Sequence, residues 1–146
     1  MTATVQPLGI PTTSDLDDLV SLIGLLGYTL DADVLSARLT RLTADAGHET
    51  WVVRGDDGRI TAVAGGHVVW AYNDDAPTAE LLLLVVSAEA RRDGVGSYLL
   101  GHFETWARGH QARVLNAVSA AATDSANRFY RKRGYHEAGV RYSKLI

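Results

Sequence analysis

Residues 91–97 read RRDGVGS and follow directly on the most apolar stretch of the chain, ELLLLVVSAEA at 80–90. A strand-like run, then two arginines and two glycines, then a helix-like run is a pattern that suits an anion. The first N–H groups of a helix have no acceptor within it and point at whatever sits beyond its end. Two glycines let a ligand come close to the backbone, and the helix dipole together with Arg91 and Arg92 favours negative charge. Binding of a phosphate or pyrophosphate by the backbone of Arg91, Arg92, Asp93, Gly94, Val95, Gly96 and Ser97 is the chemistry expected here. A tight strand-to-helix turn with solvated arginines uses the same residues. A dinucleotide fingerprint would need a third glycine, and no phosphate loop ending in Gly-Lys-Ser/Thr is present.

A second candidate is Glu80, a carboxylate at the head of six consecutive apolar residues. Partial burial there would raise its pKa towards the range of a useful proton acceptor. An edge-of-sheet carboxylate paired with an arginine is the competing reading. His48, His67, His102, His110 and His136 show no HExxH or other metal-ligand spacing. His67, with Trp70 and Tyr72 following, is placed to line a substrate cleft, and Asp74 and Asp75 either attract a cationic amine or form a solvated turn with Pro77.

The elements that must position these residues follow from periodicity. Ser14 and Asp17 are read as caps of a helix with Leu16, Leu19, Val20, Leu22, Ile23 and Leu26 on one face, stopped by Gly27. Asp31 caps a second, carrying Leu35, Leu39 and Leu42 and ending near Gly47. TWVV, the turn RGDDG and RITAVAGGHVVW form an antiparallel hairpin, in which Gly65 and Gly66 mark a bulge or a close backbone approach. The run 81–86 is apolar at every position, as in a strand covered on both faces at the centre of a sheet. A helix from about Gly94 to Arg108 buries Val95, Leu99, Phe103 and Trp106; ARVLNAVS is a strand, TDSANRFYRKRG a short helix capped by Gly134, and GVRYSKLI a last strand. The fold class is α+β.

The 146 residues are 47% hydrophobic and 21% charged, without repeat or linker, and are read as one domain, 1–146. There is no cysteine, which excludes disulfides, a thiolate nucleophile and Cys-ligated zinc. A net charge of −3 offers no global attraction to nucleic acid or an anionic membrane. No apolar run nears the ~18 residues of a membrane span, and the N-terminus has neither a basic segment nor an apolar core, so a cytoplasmic protein is expected.

RRDGVG resembles the [Arg/Gln]-x-x-Gly-x-[Gly/Ala] signature of the GNAT superfamily of acetyl-CoA-dependent N-acetyltransferases. ANRFYRKRGYHE, at 126–137, is similar to that family's Ala-x-x-Phe-Tyr motif with its Gly-Phe or Gly-Tyr after a three-residue gap. The order of elements is similar too. The resemblance implies a mixed, mostly antiparallel sheet flanked by about four helices. It implies acetyl-CoA as acetyl donor, without a metal, and direct transfer to an amine in a ternary complex. Backbone of Leu84, Val85 and Val86 would pair with the pantetheine arm, the Val86 N–H would polarise the thioester carbonyl, and Asn127 would contact the cofactor. Tyr130 would protonate the departing thiolate, and Glu80 would act as general base, directly or through water. Asp93 departs from the pattern, which usually has a basic or small residue there; a carboxylate beside a pyrophosphate weakens binding unless Arg91 or Arg92 neutralises it. The acceptor implied is an amine, read as a small molecule, with amino-acid derivatives, antibiotics and protein amines left open. A homodimer through the C-terminal strands is common in such proteins. A catalytically silent acyl-CoA-binding or regulatory module of the same fold is the alternative.

Overall fold

The computed structural model describes residues 4–118 and 124–146, without the side chain of Arg92. Ser119 and Thr123, at the ends of the expected strand and short helix, lie outside the described residues. In chain order the elements are β1 (Val5–Pro7), α1 (Thr13–Gly24), α2 (Ala32–Thr43), β2 (His48–Arg54), β3 (Ile60–Val69), β4 (Thr78–Val86), a 3-10 turn (Arg91–Asp93), α3 (Val95–Gly109), β5 (Val114–Ala117) and α4 (Asp124–Arg131). The five strands form one sheet in sequence order, antiparallel throughout except for the parallel pairing of β4 with β5. The α+β expectation, with a mixed sheet and four helices, is met.

Strand alternation divides the core between the two faces. Trp51, Ala62, Ala64, Ala79 and Leu81 meet Leu99, Phe103 and Ala107 of α3 on one face. Val52, Val63 and Val85 meet Leu19 and Leu22 of α1 and Leu35 of α2 on the other.

Local chemistry places α1 differently from the sequence reading. Its cap is Thr12, whose hydroxyl accepts the Asp15 N–H at 3.1 Å while the Asp15 carboxylate accepts the Thr12 N–H at 3.1 Å. Ser14 and Asp17 both fall inside the helix; the reciprocal pair satisfies two orphan donors at once, which neither of them could do alone. Asp31 caps α2 as expected, accepting the Val34 N–H at 2.8 Å.

Two further expectations need correction. β3, not β4, is the middle strand, and β4 is not covered at every position: Gly66 pairs with Leu81 and Gly65 with Leu83, so Leu82 is an extra residue and 46% exposed. This is the bulge that the paired glycines announced. Gly66 is also a close approach, since a Cβ there would meet Phe103 at 3.0 Å and Trp51 and Trp106 at 3.1 Å. The second correction is GVRYSKLI. Residues 136–146 form no strand, and Val140, Tyr142, Leu145 and Ile146 stand exposed, because among the described residues no sheet edge receives them.

Candidate active site

The bulge and the parallel strand pair together open the sheet. β5 pairs with β4 only from Thr78 to Leu81, and beyond Leu81 no described strand lies along that edge of β4. The stretch from Leu82 to Val86, containing Leu84, Val85 and Val86, therefore has one free backbone edge, the condition for pairing with an extended ligand arm. Val85 is buried against α1 and α2, whereas Leu84 and Val86 pack on the α3 side.

At the end of β4 the chain turns into the glycine-bearing loop. The Arg91 N–H donates to the Ser87 carbonyl at 3.2 Å and the Asp93 N–H to Ala90 at 3.1 Å, so these two donors are spent within the turn. This corrects the expectation that every N–H from Arg91 to Ser97 is free. Gly94 has φ +71°, a left-handed conformation that reverses the chain into α3, and no side chain caps that helix. The N–H groups of Val95, Gly96 and Ser97 form its open first turn. Arg91 does not reach Asp93: its Nε donates to the Val86 carbonyl at 3.2 Å, and Asp93 stays exposed with no ion pair among those described.

Among the described side chains, a cation from the second motif reaches the loop. Arg133 donates to Ser97 Oγ and, at 2.8 Å, to the Phe129 carbonyl, with its guanidinium 4.0 Å from the centre of the Phe129 ring. Gly96 is the counterpart of this packing, because a Cβ there would meet Phe129 at 3.3 Å and Val86 at 3.6 Å. Glycine at this position thus lets α4 come close to α3. The two motifs, far apart in sequence, lock onto each other beside the end of β4. The spacing of residues 97 and 133 along the chain gives no sign that Arg133 binds the loop.

Tyr130 and Asn127 both lie half-buried on α4. The Tyr130 ring stands edge-on to Phe129 and Tyr135, with centroids 5.2 and 5.6 Å away, and packs on the α3-side core. Burial pushes its phenol above the ordinary tyrosine range. The neighbouring Tyr135 hydroxyl donates to Glu104 at 2.7 Å; burial first, then that carboxylate, pushes it up further.

Glu80 occupies the other face. Ala79 and Leu81 are buried towards α3, so the intervening Glu80 points to the α1/α2 side. There it is one member of a cross-strand row, His48–His67–Glu80–Asn116, running over β2, β3, β4 and β5. No arginine pairs with it among the described residues. The His48 and His67 rings stack at 3.9 Å, and His48 Nδ1 is 3.1 Å from Asp45 Oδ2, whose other oxygen accepts the Gly47 N–H at 2.8 Å. That N–H bond first, and then His48, holds the Asp45 carboxyl below its ordinary range. The potential ligand atoms of Asp45, His48 and His67 lie within 4.8 Å of one another. Spacing along the chain missed this cluster; the hairpin register, which sets residue 48 opposite residue 67, is the signal that contains it.

Beside this row, between the sheet and helices α1 and α2, lies a cavity of about 280 Å³ lined by residues that include Leu19, Ile23, Leu35, Leu39, Leu82 and Leu83. Asp74 and Asp75 are elsewhere: Asp74 accepts the Ala76 N–H at 2.9 Å and faces Arg113 at 3.5 Å, the arrangement of a solvated turn.

The site thus combines a sheet that opens between neighbouring parallel strands with an uncapped glycine-bearing helix start at the opening. The chain belongs to the acetyltransferase (GNAT) family, whose model matches residues 23–135. Among curated proteins none matches it. Solved structures with a similar fold include a GNAT family acetyltransferase from Staphylococcus aureus (19% identity, 100% of both chains, TM-score 0.80). An aminoglycoside 6'-N-acetyltransferase from Acinetobacter baumannii is similar at 22% identity over 99% of both chains, with a TM-score of 0.80. Glucosamine-6-phosphate N-acetyltransferase from Arabidopsis thaliana follows at 15% identity, over 100% of this chain and 99% of that one, with a TM-score of 0.79.

Proposed function

We propose that residues 1–146 form one N-acetyltransferase domain that binds acetyl-CoA and passes its acetyl group directly to an amine. The observation that carries this reading is the juxtaposition, at the end of β4, of a free strand edge and an uncapped helix start. The pantetheine arm pairs with Leu84–Val86. The pyrophosphate sits on the N–H groups of Val95, Gly96 and Ser97, beside Arg91, Arg92 and Arg133, with Asn127 at its side. The Val86 N–H polarises the thioester carbonyl. The two acid–base candidates lie on opposite faces of β4: Glu80 takes the amine proton on the α1/α2 side while Tyr130, on the α3 side, protonates the thiolate. No metal takes part in these steps. The cytoplasm, where acetyl-CoA is used, is the compartment implied. The proposal extends to a homodimer, the exposed segment 136–146 of one copy covering the open edge of β5 in another.

Thermal stability with acetyl-CoA, CoA and ATP in parallel tests the cofactor. A ligand at 100 times its Kd adds about 2.7 kcal/mol to the native state, and the shift is expected with the two CoA species alone. Release of CoA thiol on addition of an amine then separates an enzyme from a silent acyl-CoA-binding module. Glu80→Gln is expected to lower kcat by about 10²-fold or more; unchanged kcat removes Glu80 from the reaction.

A further inference from the structure

The cavity between the sheet and helices α1 and α2 has a composition that selects its occupant. It is walled by leucines and isoleucine from both helices and floored by Val63, Gly65 and Leu83 of the sheet. Leu82, the bulged residue of β4, lies on its lining, so the cavity opens where the free edge of β4 begins. Tyr28 and Leu82, both on the lining, are 57% and 46% exposed. Apolar side chains left open to water around a cavity mark a binding site more often than a packing flaw.

Charge is nearly absent from it. The charged side chains of the lining are Arg38 and Glu49, one of each sign, with His48 at the rim. A polycationic sugar such as an aminoglycoside needs an acidic, hydrogen-bonding surface, and most of its hydroxyls would face leucine, isoleucine and valine side chains here. The acidic turn at Asp74 and Asp75 shares no lining residue with this cavity. A sugar phosphate fares no better, since its hydroxyls meet the same leucines. At about 280 Å³ the space lies at the small end of ligand pockets, roughly 300–1,000 Å³, and suits one ring-sized body.

We infer that the acceptor is a small primary amine with an uncharged apolar body of aryl or alkyl type. The body lies in the cavity and the amine lies at its mouth by Leu82, with His48 on the lining and His67 and Glu80 further along the same sheet face, reached through water. This inference rests on the N-acetyltransferase reading above. In the reaction the amine nitrogen forms a bond to the acetyl carbon as the thioester C–S bond breaks. The amine loses one proton to the base, the thiolate gains one, and the products are the N-acetyl amide and CoA thiol.

Steady-state thiol release with phenethylamine, kanamycin and glucosamine 6-phosphate, on protein that shows the acetyl-CoA thermal shift, tests it. The expected result is a kcat/KM for phenethylamine at least 100-fold above the other two. Equal or higher turnover of either sugar, or no turnover of phenethylamine, overturns the inference while leaving cofactor binding intact. Absence of the acetyl-CoA shift overturns the underlying reading instead, and this one with it. Leu39→Trp, which fills the cavity, is expected to raise the KM for phenethylamine about 10-fold with the acetyl-CoA shift retained. Ile23→Phe fills it from the other helix should the first variant not fold. An unchanged KM in a folded variant of either kind puts the amine's body elsewhere.

Discussion

A phenol can protonate a departing thiolate only while it holds its own proton. Burial raises the Tyr130 pKa above its ordinary value near 10, so the acid form persists through and beyond the whole physiological range. Tyr130→Phe should therefore reduce kcat by about 10²-fold with the acetyl-CoA KM little changed, and no alkaline loss of activity below pH ~10 should disappear with it. Stopped turnover assays across pH read both; an unchanged kcat would mean the thiolate leaves unaided. Asp93 poses the opposite problem, a carboxylate left exposed at the anion loop with no ion pair among the described residues. Two unit charges about 4 Å apart in water interact by about 1 kcal/mol, so Asp93→Asn should lower the acetyl-CoA KM about fivefold, less at high salt. At this scale the sequence shows which residue types could do chemistry, and folding brings the two motifs together beside the end of β4. What stayed hidden were partners made by folding. Nothing in the spacing of Ser97 and Arg133, or of His48 and His67, announces that they touch.

The helix that walls the cavity is held to the sheet by charge. Asp15 and Asp18 are buried on α1, and each meets an arginine of the β2–β3 hairpin: Arg54 donates to both oxygens of Asp15 at 2.8 and 3.2 Å, while Arg59 and the Ile60 N–H, at 3.0 Å, donate to Asp18. Both carboxyls are held below their ordinary value, chiefly by the arginine hydrogen bonds. A carboxylate whose folded pKa is depressed adds stability that is fully present above its unfolded pKa, near 3.9, and is lost as pH falls through the lower folded value. Tm should hold from neutrality down to about pH 5 and then fall, and Asp15→Asn should blunt that fall while costing about 2 kcal/mol at neutral pH. Thermal melts of the two proteins over pH 2–7 decide it. The helices and the strands from β2 to β5 were legible, down to the Gly65–Gly66 irregularity, because amphipathic periods and turn residues are local, whereas the three-residue β1 is too short to show a period. The α1 cap was misplaced because Thr12, Ser14 and Asp17 are all good caps, and only the contact of Asp15 with a distant arginine selects among them. The apolar run of β4 likewise concealed its bulge, since an exposed Leu82 and a buried Leu81 are the same residue type.

At the scale of the whole molecule, strand order and the exposure of the last segment depend on which surfaces meet, and the sequence pattern is silent on that. GVRYSKLI reads as a strand because Val140, Tyr142 and Ile146 fall on one side of an extended chain. In the described chain the first two are 77% and 91% exposed and Ile146 is fully exposed, and β5 leaves one edge of the sheet open. An open edge and an apolar, strand-patterned segment are the two halves of an intermolecular pairing. Among the described residues the segment covers no apolar surface of its own chain, whereas a second copy offers both an edge and an identical segment in return. Light scattering on the full chain should then give twice the 15.7 kDa chain mass, and removal of residues 139–146 should give the single mass with a lower Tm. A full chain that runs as a monomer at every concentration overturns the dimer and leaves the acetyltransferase reading standing, because Leu84–Val86, the loop at Gly94–Ser97 and Tyr130 all lie before the segment removed.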